Sequence, residues 1–285
     1  MSVQIKKAST VQRHSKPSFL MLGKTGSGKT TQFLTLPGKK LIYLFDPNAM
    51  ATLAGHEVDY LEFLPSRIPL QVTSLNKNVN ERNSRKVQET IGRLGKELYD
   101  SFEEHLEEML SSGGFDQYDA IGFDSCTTLL EMIMDAILYL NGRPGQWPGQ
   151  DDWGPQMLTF TKIVRQMTSI GKAVYFTAHL QQTQDEVTKS VSNQPLLTGQ
   201  LKTKIPLLFS EILVAEAGAD SRGNVSYTVQ TRQDRRNDIC RTSLRDVQFK
   251  ENVTLDFADP LEQQGLGKLY RGSISSPKSN VAEGR

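Results

Sequence analysis

The sequence has 285 residues, a length that supports one sizeable core and leaves little room for a second full domain. Its 33 Lys and Arg residues nearly balance 32 Asp and Glu residues, so the overall charge indicates neither a nucleic-acid nor a membrane partner, and any contact with a polyanion must be local. The two cysteines, Cys126 and Cys240, are too few and too far apart for a disulfide framework or a metal knuckle.

Polar segments without hydrophobic periodicity stand at both ends of the sequence. Residues 1–17 are basic, and the apolar run that follows is too short for a signal peptide or a membrane span, so we expect a cytoplasmic protein without a membrane partner. The last residues, 275–285, are rich in Ser and predict disorder. We therefore divide the chain into a flexible segment 1–17, a main domain 18–250 with a helical insertion at about 65–115, and a C-terminal extension 251–285.

Short apolar runs alternate with helical patterns over most of the chain. Strands are predicted, in chain order, at 18–22, 41–46, 58–64, 118–124, 173–179, 211–217 and 225–232. Helices are predicted at 29–36, 84–110, 127–140 and, after a loop at 141–155, up to 170; the connections 65–83 and 180–198 are polar. Strands that alternate with helices indicate parallel βαβ units, so the expected fold is α/β, with a mostly parallel central sheet flanked by helices.

A glycine-rich loop follows the first predicted strand and precedes the first predicted helix. It matches the phosphate-binding pattern G-x-x-x-x-G-K-[ST] at Gly23, Gly28, Lys29 and Thr30. Glycines let the backbone curl so that successive N–H groups point at one anion, while Lys29 reaches the β- and γ-phosphates and Thr30 ligates Mg²⁺. The alternative is a glycine-rich turn that binds nothing. The predicted ATP-binding residues are Gly23, Lys24, Thr25, Gly26, Ser27, Gly28, Lys29, Thr30 and Thr31.

The metal site of such a loop needs a carboxylate at the end of a neighbouring strand. Asp124 ends the predicted strand 118–124 and is the expected partner of Thr30 in binding Mg²⁺. A role in capping the following helix is the alternative for Asp124, and Ser125 is equally eligible for it. Since Ser125 follows rather than a glutamate, the Asp-Glu pair of most helicases and AAA+ motors is missing. The residue that orients the attacking water must therefore come from another strand.

Two other predicted strands end in polar residues that suit this task. Asp46 and Asn48 follow the second strand; Asp46 either polarises water or caps the loop, and Asn48 can orient water only by hydrogen bonding. His179 ends the strand 173–179 and is expected to sense the γ-phosphate, with a purely structural role as the alternative. The predicted catalytic residues are Lys29, Asp46, Asn48, Asp124 and His179.

Four segments, in this order, carry a resemblance to known proteins. They are the loop GKTGSGKTT, the strand YDAIGFD followed by Ser, the Asp-Asp-Trp-Gly at 151–154 ahead of a helix, and the strand AVYFTAH followed by a polar segment. Together they resemble the RecA-like P-loop ATPases of bacteriophages over about residues 18–240. Within that group the sequence looks most like the Sak4-type single-strand annealing proteins, an AAA-type P-loop family.

The resemblance implies a RecA-like ATPase that assembles into rings or filaments and binds single-stranded DNA during recombination in a bacterial host cytoplasm, with a single-strand binding protein as a further partner. It assigns Lys29, Thr30 and Asp124 to nucleotide and metal, and makes the polar segment after His179 the DNA-facing loop. One departure concerns hydrolysis. RecA-like proteins generally end the second strand with Asp, one residue and a catalytic Glu, whereas Asn48 stands here in place of the Glu, so turnover is expected to be slow.

Basic residues cluster beyond the predicted sensor strand. Their targets are either a neighbour's ATP or a nucleic-acid backbone, and the alternative is a solvated turn paired with Asp234 and Asp238. The candidates for an arginine finger or a DNA contact are Arg232, Arg235, Arg236, Arg241, Lys202 and Lys204. The segment 180–205 has no aromatic residue, so its DNA contacts would be to phosphates, tolerant of sequence and sensitive to salt. Trp147 and Trp153 are the candidates for base stacking.

Two alternative functions remain open on the sequence. A DNA-translocating motor, such as a helicase or a packaging ATPase, needs rapid DNA-stimulated turnover and a clear catalytic carboxylate, and Asn48 weighs against it. A nucleotide-switched assembly protein of the partitioning type is suggested by Lys24, because those proteins carry a signature lysine at this loop position. They usually continue with two glycines, however, whereas Thr25 follows here.

Overall fold

The computed structural model of the protein describes residues 16–65, 81–184, 186 and 189–275, apart from the side chains of 81–86, 274 and 275. Most of the predicted flexible N-terminal segment, of the polar connection 65–83 and of the predicted disordered tail lies outside the described residues. The elements below therefore refer to the described part of the chain.

A nine-stranded sheet runs through the described residues. Its strands are β1 (Ser18–Gly23), β2 (Lys40–Leu44), β3 (Asp59–Glu62), β4 (Ala120–Asp124), β5 (Ala173–Gln184), β6 (Val191–Pro195), β7 (Glu211–Ala219), β8 (Val225–Gln230) and β9 (Lys250–Asn252). The order is β3-β2-β4-β5-β1-β7-β8-β9, and β6 pairs with β5. The pairings from β3 through β7 are parallel, whereas β6, β8 and β9 pair antiparallel. The expected α/β fold with a mostly parallel central sheet is confirmed.

Helices cover both faces of this sheet. They are α1 (Lys29–Phe33), α2 (Ala49–Leu53), α3 (Glu81–Ser112), α4 (Cys126–Leu140), α5 (Gln150–Ser169), α6 (Leu201–Lys204) and α7 (Gly265–Ser275). Alternate residues of β1 face the two layers: Leu20 and Leu22 pack into the core under α3, α4 and α5, and Phe19 and Met21 into the core under α1, α2 and α7. All four are fully buried, which explains why a central parallel strand is a continuous apolar run.

The parallel strands bring their carboxyl ends to one edge of the sheet. In the strand register Gly23 lies beside His179, and Leu44 lies beside Asp124. Asp46 follows β2 by two residues and reaches the same edge. Ligands of open α/β sheets bind at this edge. The fold therefore gathers the predicted site residues that follow β1 and β2, end β4 or lie within β5.

The polar segment after His179 is not the irregular loop that we predicted. β5 continues to Gln184 and pairs with β6 in a hairpin, from Leu180 opposite Pro195 to Gln184 opposite Val191. The sequence hides this hairpin because it projects beyond the apolar core, so its strands lack the apolar alternation that predicts strands. One of its buried positions is a polar residue, Asn193.

The helix α5 begins earlier than predicted, at Gln150 rather than after Pro155. The reason is Asp152, whose Oδ2 accepts a hydrogen bond from the Gly149 N–H at 2.7 Å and so completes the first turn. Asp152 is fully buried and also pairs with the Arg143 guanidinium at 2.5 Å. The Asp-Asp-Trp-Gly segment of the resemblance thus has a local structural role, anchoring the preceding loop to this helix.

The segment that we predicted as a C-terminal extension contributes β9 and α7 to the fold. α7 packs against α1: Gln32 Oε1 accepts from the Leu266 N–H, and Thr35 Oγ1 from the Gly267 N–H, each at 2.9 Å. Leu266 is fully buried in the core under α1. Among the described residues, no helix has both the length and the apolar character to cross a membrane.

Candidate functional site

The loop between β1 and α1 has the backbone that a phosphate-binding loop needs. Gly26 and Gly28 have φ values of 75° and 82°, in the left-handed region that other residues rarely adopt. A side chain on Gly28 would also meet the Tyr227 ring, whose Cδ1 lies 3.0 Å from the Cβ position. A hydrogen bond of 3.2 Å from the Ser27 N–H to the Lys24 carbonyl closes the turn. The conformation of this loop therefore requires glycine at position 28.

Lys29 begins α1, and its ammonium group folds back over the loop. Nζ donates hydrogen bonds to the carbonyls of Gly23 and Lys24, both at 3.0 Å. Burial lowers the pKa of Lys29, and the carboxylates of Asp124 and Asp46 oppose this shift. A phosphate group at the loop would supply a further counter-charge, so Lys29 suits the predicted contact with nucleotide phosphates.

Asp124, at the end of β4, is held by two hydroxyl groups. Thr30 Oγ1 donates to Asp124 Oδ2 at 2.6 Å, and Thr177 Oγ1 donates to Oδ1. The Asp124–Ser125 peptide is cis. Burial raises the pKa of the Asp124 carboxyl, although both hydroxyl hydrogen bonds oppose the shift. The capping role falls to Ser125, whose side chain accepts from the Thr128 N–H, so the alternative reading of Asp124 as the helix cap is wrong.

Sequence reasoning missed Thr177. The strand register pairs Phe123 with Phe176, which places Thr177 beside Asp124. The sequence carries a partial signal, since Thr177 is the one Ser or Thr in the run AVYFTAH, and the structure shows that it is fully buried. A buried polar side chain needs a hydrogen-bond partner, and the neighbouring strand supplies it.

Asp46 and His179 lie close together at the same edge of the sheet, and both contact residues of α4. His179 Nε2 lies 3.7 Å from Asp46 Oδ2. Thr128 Oγ1 donates a hydrogen bond to Asp46 Oδ1, and the His179 N–H donates to Thr127 Oγ1 at 3.4 Å. Burial favours a raised pKa for Asp46, but hydrogen bonds from His179, Thr128 and Ser125 outweigh it, so the pKa lies below its ordinary value.

Asn48 is not part of this cluster in the described structure. It is exposed and begins α2 without a side-chain capping hydrogen bond. The structure therefore joins Asp46, rather than Asn48, to the residues at the carboxyl edge of the sheet.

The predicted basic residues occupy different surroundings. Arg241 donates from Nη2 to the carbonyls of Pro206 at 3.3 Å, Leu207 at 3.2 Å and Phe209, so its guanidinium is already engaged by its own chain. Lys202 and Lys204 lie on α6. The remaining candidates, Arg232, Arg235 and Arg236, are exposed in the turn after β8. Of these, Arg236 lines a cavity beside the phosphate-binding loop.

The two tryptophans flank a second cavity, of about 720 Å³, beside α4 and the loop before α5. Trp147 is 93% exposed, and Trp153 is partly buried. Trp147 thus remains the better candidate for contact with a base.

The donor set at Thr30 and Asp124 fits Mg²⁺. A hydroxyl and a carboxylate are hard oxygen ligands, and Mg²⁺ usually takes one or two protein ligands together with waters and substrate phosphates. Within the described residues there is no cluster of three His, Cys, Asp or Glu side chains that would hold a metal without a nucleotide. Ser27 Oγ, in the loop itself, is buried without a hydrogen-bond partner in the described structure. These features suit a site that is completed by a nucleotide.

A family model described as AAA domain matches residues 15–238. Among solved structures, the chain is similar to the X-ray structure of the ATPase DotB of Legionella pneumophila, with 12% sequence identity and a TM-score of 0.26. That similarity covers 76% of this chain but only 45% of DotB, and it is too low to support an inference. No curated protein sequence matches the chain. Since the family model spans most of the sequence and the site has the loop and strand-end carboxylate of a P-loop NTPase, the chain belongs to the AAA domain family.

Proposed function

We propose that the protein is an ATP-hydrolysing, RecA-like P-loop protein of the Sak4 type that binds single-stranded DNA in phage recombination or annealing. The observation that carries the nucleotide part is the hydrogen bond of 2.6 Å between Thr30 and Asp124, next to Lys29. It unites the phosphate loop with the strand-end carboxylate on which Mg²⁺-nucleotide binding depends.

Different groups at the loop bind different parts of Mg²⁺-ATP in this proposal. Backbone N–H groups of the loop and Lys29 Nζ hold the β- and γ-phosphates. Thr30 and Asp124 would hold Mg²⁺, which would neutralise charge on the phosphate oxygens during transfer. Thr177 keeps the Asp124 carboxylate oriented towards this position through its hydrogen bond.

Asp46 is the residue that we assign to orienting the attacking water. Its lowered pKa keeps it ionised near neutral pH, so it can accept a hydrogen bond from water. A carboxylate with a lowered pKa is, however, a weak base, because proton transfer is most efficient when the pKa lies near the working pH. Slow turnover follows, in agreement with the absence of a glutamate at position 48.

The β5–β6 hairpin is the surface that we assign to DNA. Its first paired residue, Leu180, directly follows His179, which lies 3.7 Å from Asp46. Hydrolysis of the γ-phosphate beside Asp46 would therefore alter the surroundings of a residue next to the hairpin. The side chains of the hairpin are mainly polar, and the exposed Arg232 and Arg235 supply positive charge on the turn after β8. Such a surface suits contacts to phosphates rather than base edges.

The partners of this proposal are single-stranded DNA, further copies of the chain in a ring or filament, and a single-strand binding protein. The DNA-translocating motor is the second candidate, and the weak base at Asp46 counts against it. A partitioning-type switch is supported by Lys24 at the loop, which lines the same cavity as Thr25 and Ser27.

Retention of labelled single-stranded DNA by the protein, with Mg²⁺ and ATP, tests the DNA part. We expect retention that depends on ATP, does not depend on base sequence and falls by at least about tenfold between about 50 and 200 mM salt. Lys29→Ala should abolish it. Lys39→Ala is the matched control, because Lys39 is half exposed and pairs with Asp59 at the opposite edge of the sheet.

The outcomes separate the candidates. If ATP binds but DNA is not retained even at low salt, the recombination role is wrong and the switch remains. Rapid, strongly DNA-stimulated turnover would favour the motor. If Lys24→Ala abolishes self-association while ATP still binds, the partitioning-type switch is favoured over the annealing protein. If neither ATP nor DNA binds, the whole proposal fails.

A further inference from the structure

The cavity of about 720 Å³ beside α4 is a groove with mostly apolar walls. α4 forms one wall, and the loop before α5 together with the first turns of α5 forms another, through Trp147, Trp153 and Gln156. Leu196 and Leu197, just after β6, line a third side. Trp147 is 93% exposed and Leu196 is 40% exposed, so this surface, which we call the tryptophan groove, presents large apolar side chains to solvent.

Two carboxylates of α4 border the tryptophan groove without a cationic partner. Glu131 and Asp135 are four residues apart on one helix, a spacing at which like charges destabilise each other. Both side chains are exposed, and neither forms an ion pair within the part of the chain that the structure describes. They also border a cavity of about 450 Å³ between α3 and α4. Burial raises the pKa of both carboxyl groups, and a neighbouring carboxylate adds to the shift, Asp46 at Glu131 and Glu131 at Asp135. A cation beside this pair would relieve the repulsion.

A buried amide in the same groove also lacks a partner. Gln156 is 2% exposed, and its Nε2 donates to the Leu130 carbonyl at 2.7 Å, whereas its Oε1 has no hydrogen-bond partner among the described residues. Buried polar atoms are nearly always paired, so such an atom indicates that a donor is missing. The ligand that the groove favours therefore carries N–H donors and positive charge, together with apolar groups for the walls. Ammonium groups also bind favourably over the face of a tryptophan ring.

Residues 1–15, which lie outside the described structure, contain a segment of this composition. The run Val-Gln-Ile-Lys-Lys-Ala-Ser-Thr-Val at 3–11 places Lys6 and Lys7 between apolar residues. No acidic residue occurs in 1–15. This segment therefore complements both the charge of the two carboxylates and the apolar walls of the groove.

The chain enters the described structure within reach of the tryptophan groove. Lys16 lies beside Gly171, since its Nζ is 3.1 Å from the position of a Cβ on that glycine. Gly171 follows the end of α5, whereas Gln156 is in the second turn of α5, so roughly 20 Å of helix separates the two places. The residues between Lys7 and Lys16 can span up to about 30 Å. A tethered segment that reaches its site acts at an effective concentration in the millimolar range, which favours docking within one chain.

We propose that residues 3–11 dock in the tryptophan groove of their own chain, with the two lysines at the two carboxylates and the apolar side chains against the walls. This differs from our expectations of a flexible N-terminal segment and of a DNA base stacked on Trp147. Single-stranded DNA fits the groove less well, because its phosphates would meet both carboxylates. Thr127 lines the groove and accepts the His179 N–H, so the docked segment lies next to the candidate nucleotide site.

Tryptophan fluorescence tests the proposal, because Trp147 and Trp153 are the only two tryptophans of the sequence and both line the groove. The full chain is compared with a chain that lacks residues 1–15, without nucleotide. We expect the deletion to shift the emission to longer wavelength and to increase quenching by acrylamide. A synthetic peptide of residues 1–15 should restore protection to the shortened chain, and less so at high salt. In the full chain, protection should not change with protein concentration.

Charge reversal tests the pairing in the full-length chain. Lys6→Glu together with Lys7→Glu should expose the tryptophans as the deletion does, and the same changes in the peptide should weaken its binding about tenfold. Adding Glu131→Lys and Asp135→Lys should restore protection. Lys16→Glu is the matched control and should have no effect, since Lys16 lies at the far end of α5. Thermal unfolding of each variant shows whether the fold is retained.

Equal emission and quenching in the full and shortened chains would overturn the proposal, as would protection that survives reversal of both lysines. Protection that rises with protein concentration would mean that the segment docks on a neighbouring copy instead. Protection of the shortened chain by single-stranded DNA but not by the peptide would make a DNA base the occupant. Because no nucleotide is present, these outcomes are independent of whether the proposed ATP binding is correct.

Discussion

At the residue scale, the proposed hydrolysis of ATP depends most on Asp46. This carboxylate receives a hydrogen bond from Thr128 and lies 3.7 Å from His179, at the edge of the sheet where β1 and β4 also end. Its lowered pKa favours a role in orienting water over a role in removing its proton. Asn48, by contrast, is exposed and is not part of this cluster, so we do not assign it a role in orienting water.

Asp46→Asn should lower the turnover number for ATP by about 10- to 100-fold, at or below the roughly 10²–10⁴-fold that a full general base contributes, because Asp46 orients the water rather than removing its proton; ATP affinity should stay within about twofold. Asn48→Ala is the matched control and should leave both quantities unchanged. Steady-state hydrolysis and equilibrium ATP binding measure them. Equal effects of the two substitutions, or none from either, would show that the water is oriented from elsewhere.

The phosphate loop and Asp124 were predictable residue by residue, because the loop pattern and the strand-end position both specify them. Thr177 was not predicted, since its importance lies in the register between two strands that the sequence does not state. Arg241 was predicted as a phosphate contact, whereas it is engaged by backbone carbonyls of residues 206–209. An arginine's partner is decided by the fold around it, and composition alone cannot supply that.

At the scale of elements, the long helix α3 was recognisable from its apolar period, and it packs closely on α4. Two glycines allow this approach. A Cβ on Gly95 would lie 2.8 Å from the Asp135 Cβ, and one on Gly92 would lie 2.3 Å from the Pro144 Cβ. Glycine is therefore needed at positions 92 and 95 because the neighbouring residues leave no room for a side chain, and not because the helix needs flexibility there.

Gly95→Ala should destabilise the protein by about 1–3 kcal/mol, because the clash with Asp135 outweighs the gain in helix propensity. Gly154→Ala, inside α5, is the matched control: nothing lies within 4 Å of its Cβ position, so it should stabilise by about 0.5–1 kcal/mol. Chemical denaturation of both variants measures the free energies of unfolding. Stabilisation by Gly95→Ala would contradict the close packing of α3 on α4.

Asp135, which faces Gly95 across this contact, predicts a dependence of stability on pH. Burial, and then the neighbouring Glu131 carboxylate, raise the pKa of Asp135 to about 6 from an ordinary value of 3.8. The folded state therefore binds this proton more tightly, so the stabilisation is fully present below pH 3.8 and is lost as the pH rises through about 6. Relative to Asp135→Asn, the wild-type free energy of unfolding should fall between about pH 4 and pH 6 and change little above that range. A difference that does not change with pH would contradict the raised pKa.

The β5–β6 hairpin and the start of α5 were not predicted from the sequence, and the physical reason is the same for both. The β5–β6 hairpin carries polar residues on both faces, and the buried Asn193 is satisfied by Asn237, a residue 44 positions away along the chain. The start of α5 depends on a carboxylate, Asp152, that closes its first turn. Long-range polar contacts of this kind leave no hydrophobic period, so pattern reasoning finds the apolar core and misses them.

At the scale of the whole molecule, the net charge is nearly neutral, and the candidate site residues lie together at the carboxyl edge of the parallel strands. The phosphate loop follows β1, and the residues assigned to metal, water and sensing follow β2, end β4 or lie within β5. On the other side of the loop, hydrogen bonds from Asn193 to Asn237 and to the Arg236 carbonyl join the turn after β8 to the hairpin. In this account, the hairpin is connected to the nucleotide site through His179.

Release of inorganic phosphate from ATP, followed per chain against protein concentration, with and without single-stranded DNA, tests the central claim most directly. The account predicts slow, Mg²⁺-dependent release that rises more than in proportion to protein concentration, increases with DNA and disappears in Lys29→Ala. Phosphate release at the level of Lys29→Ala under every condition would contradict it.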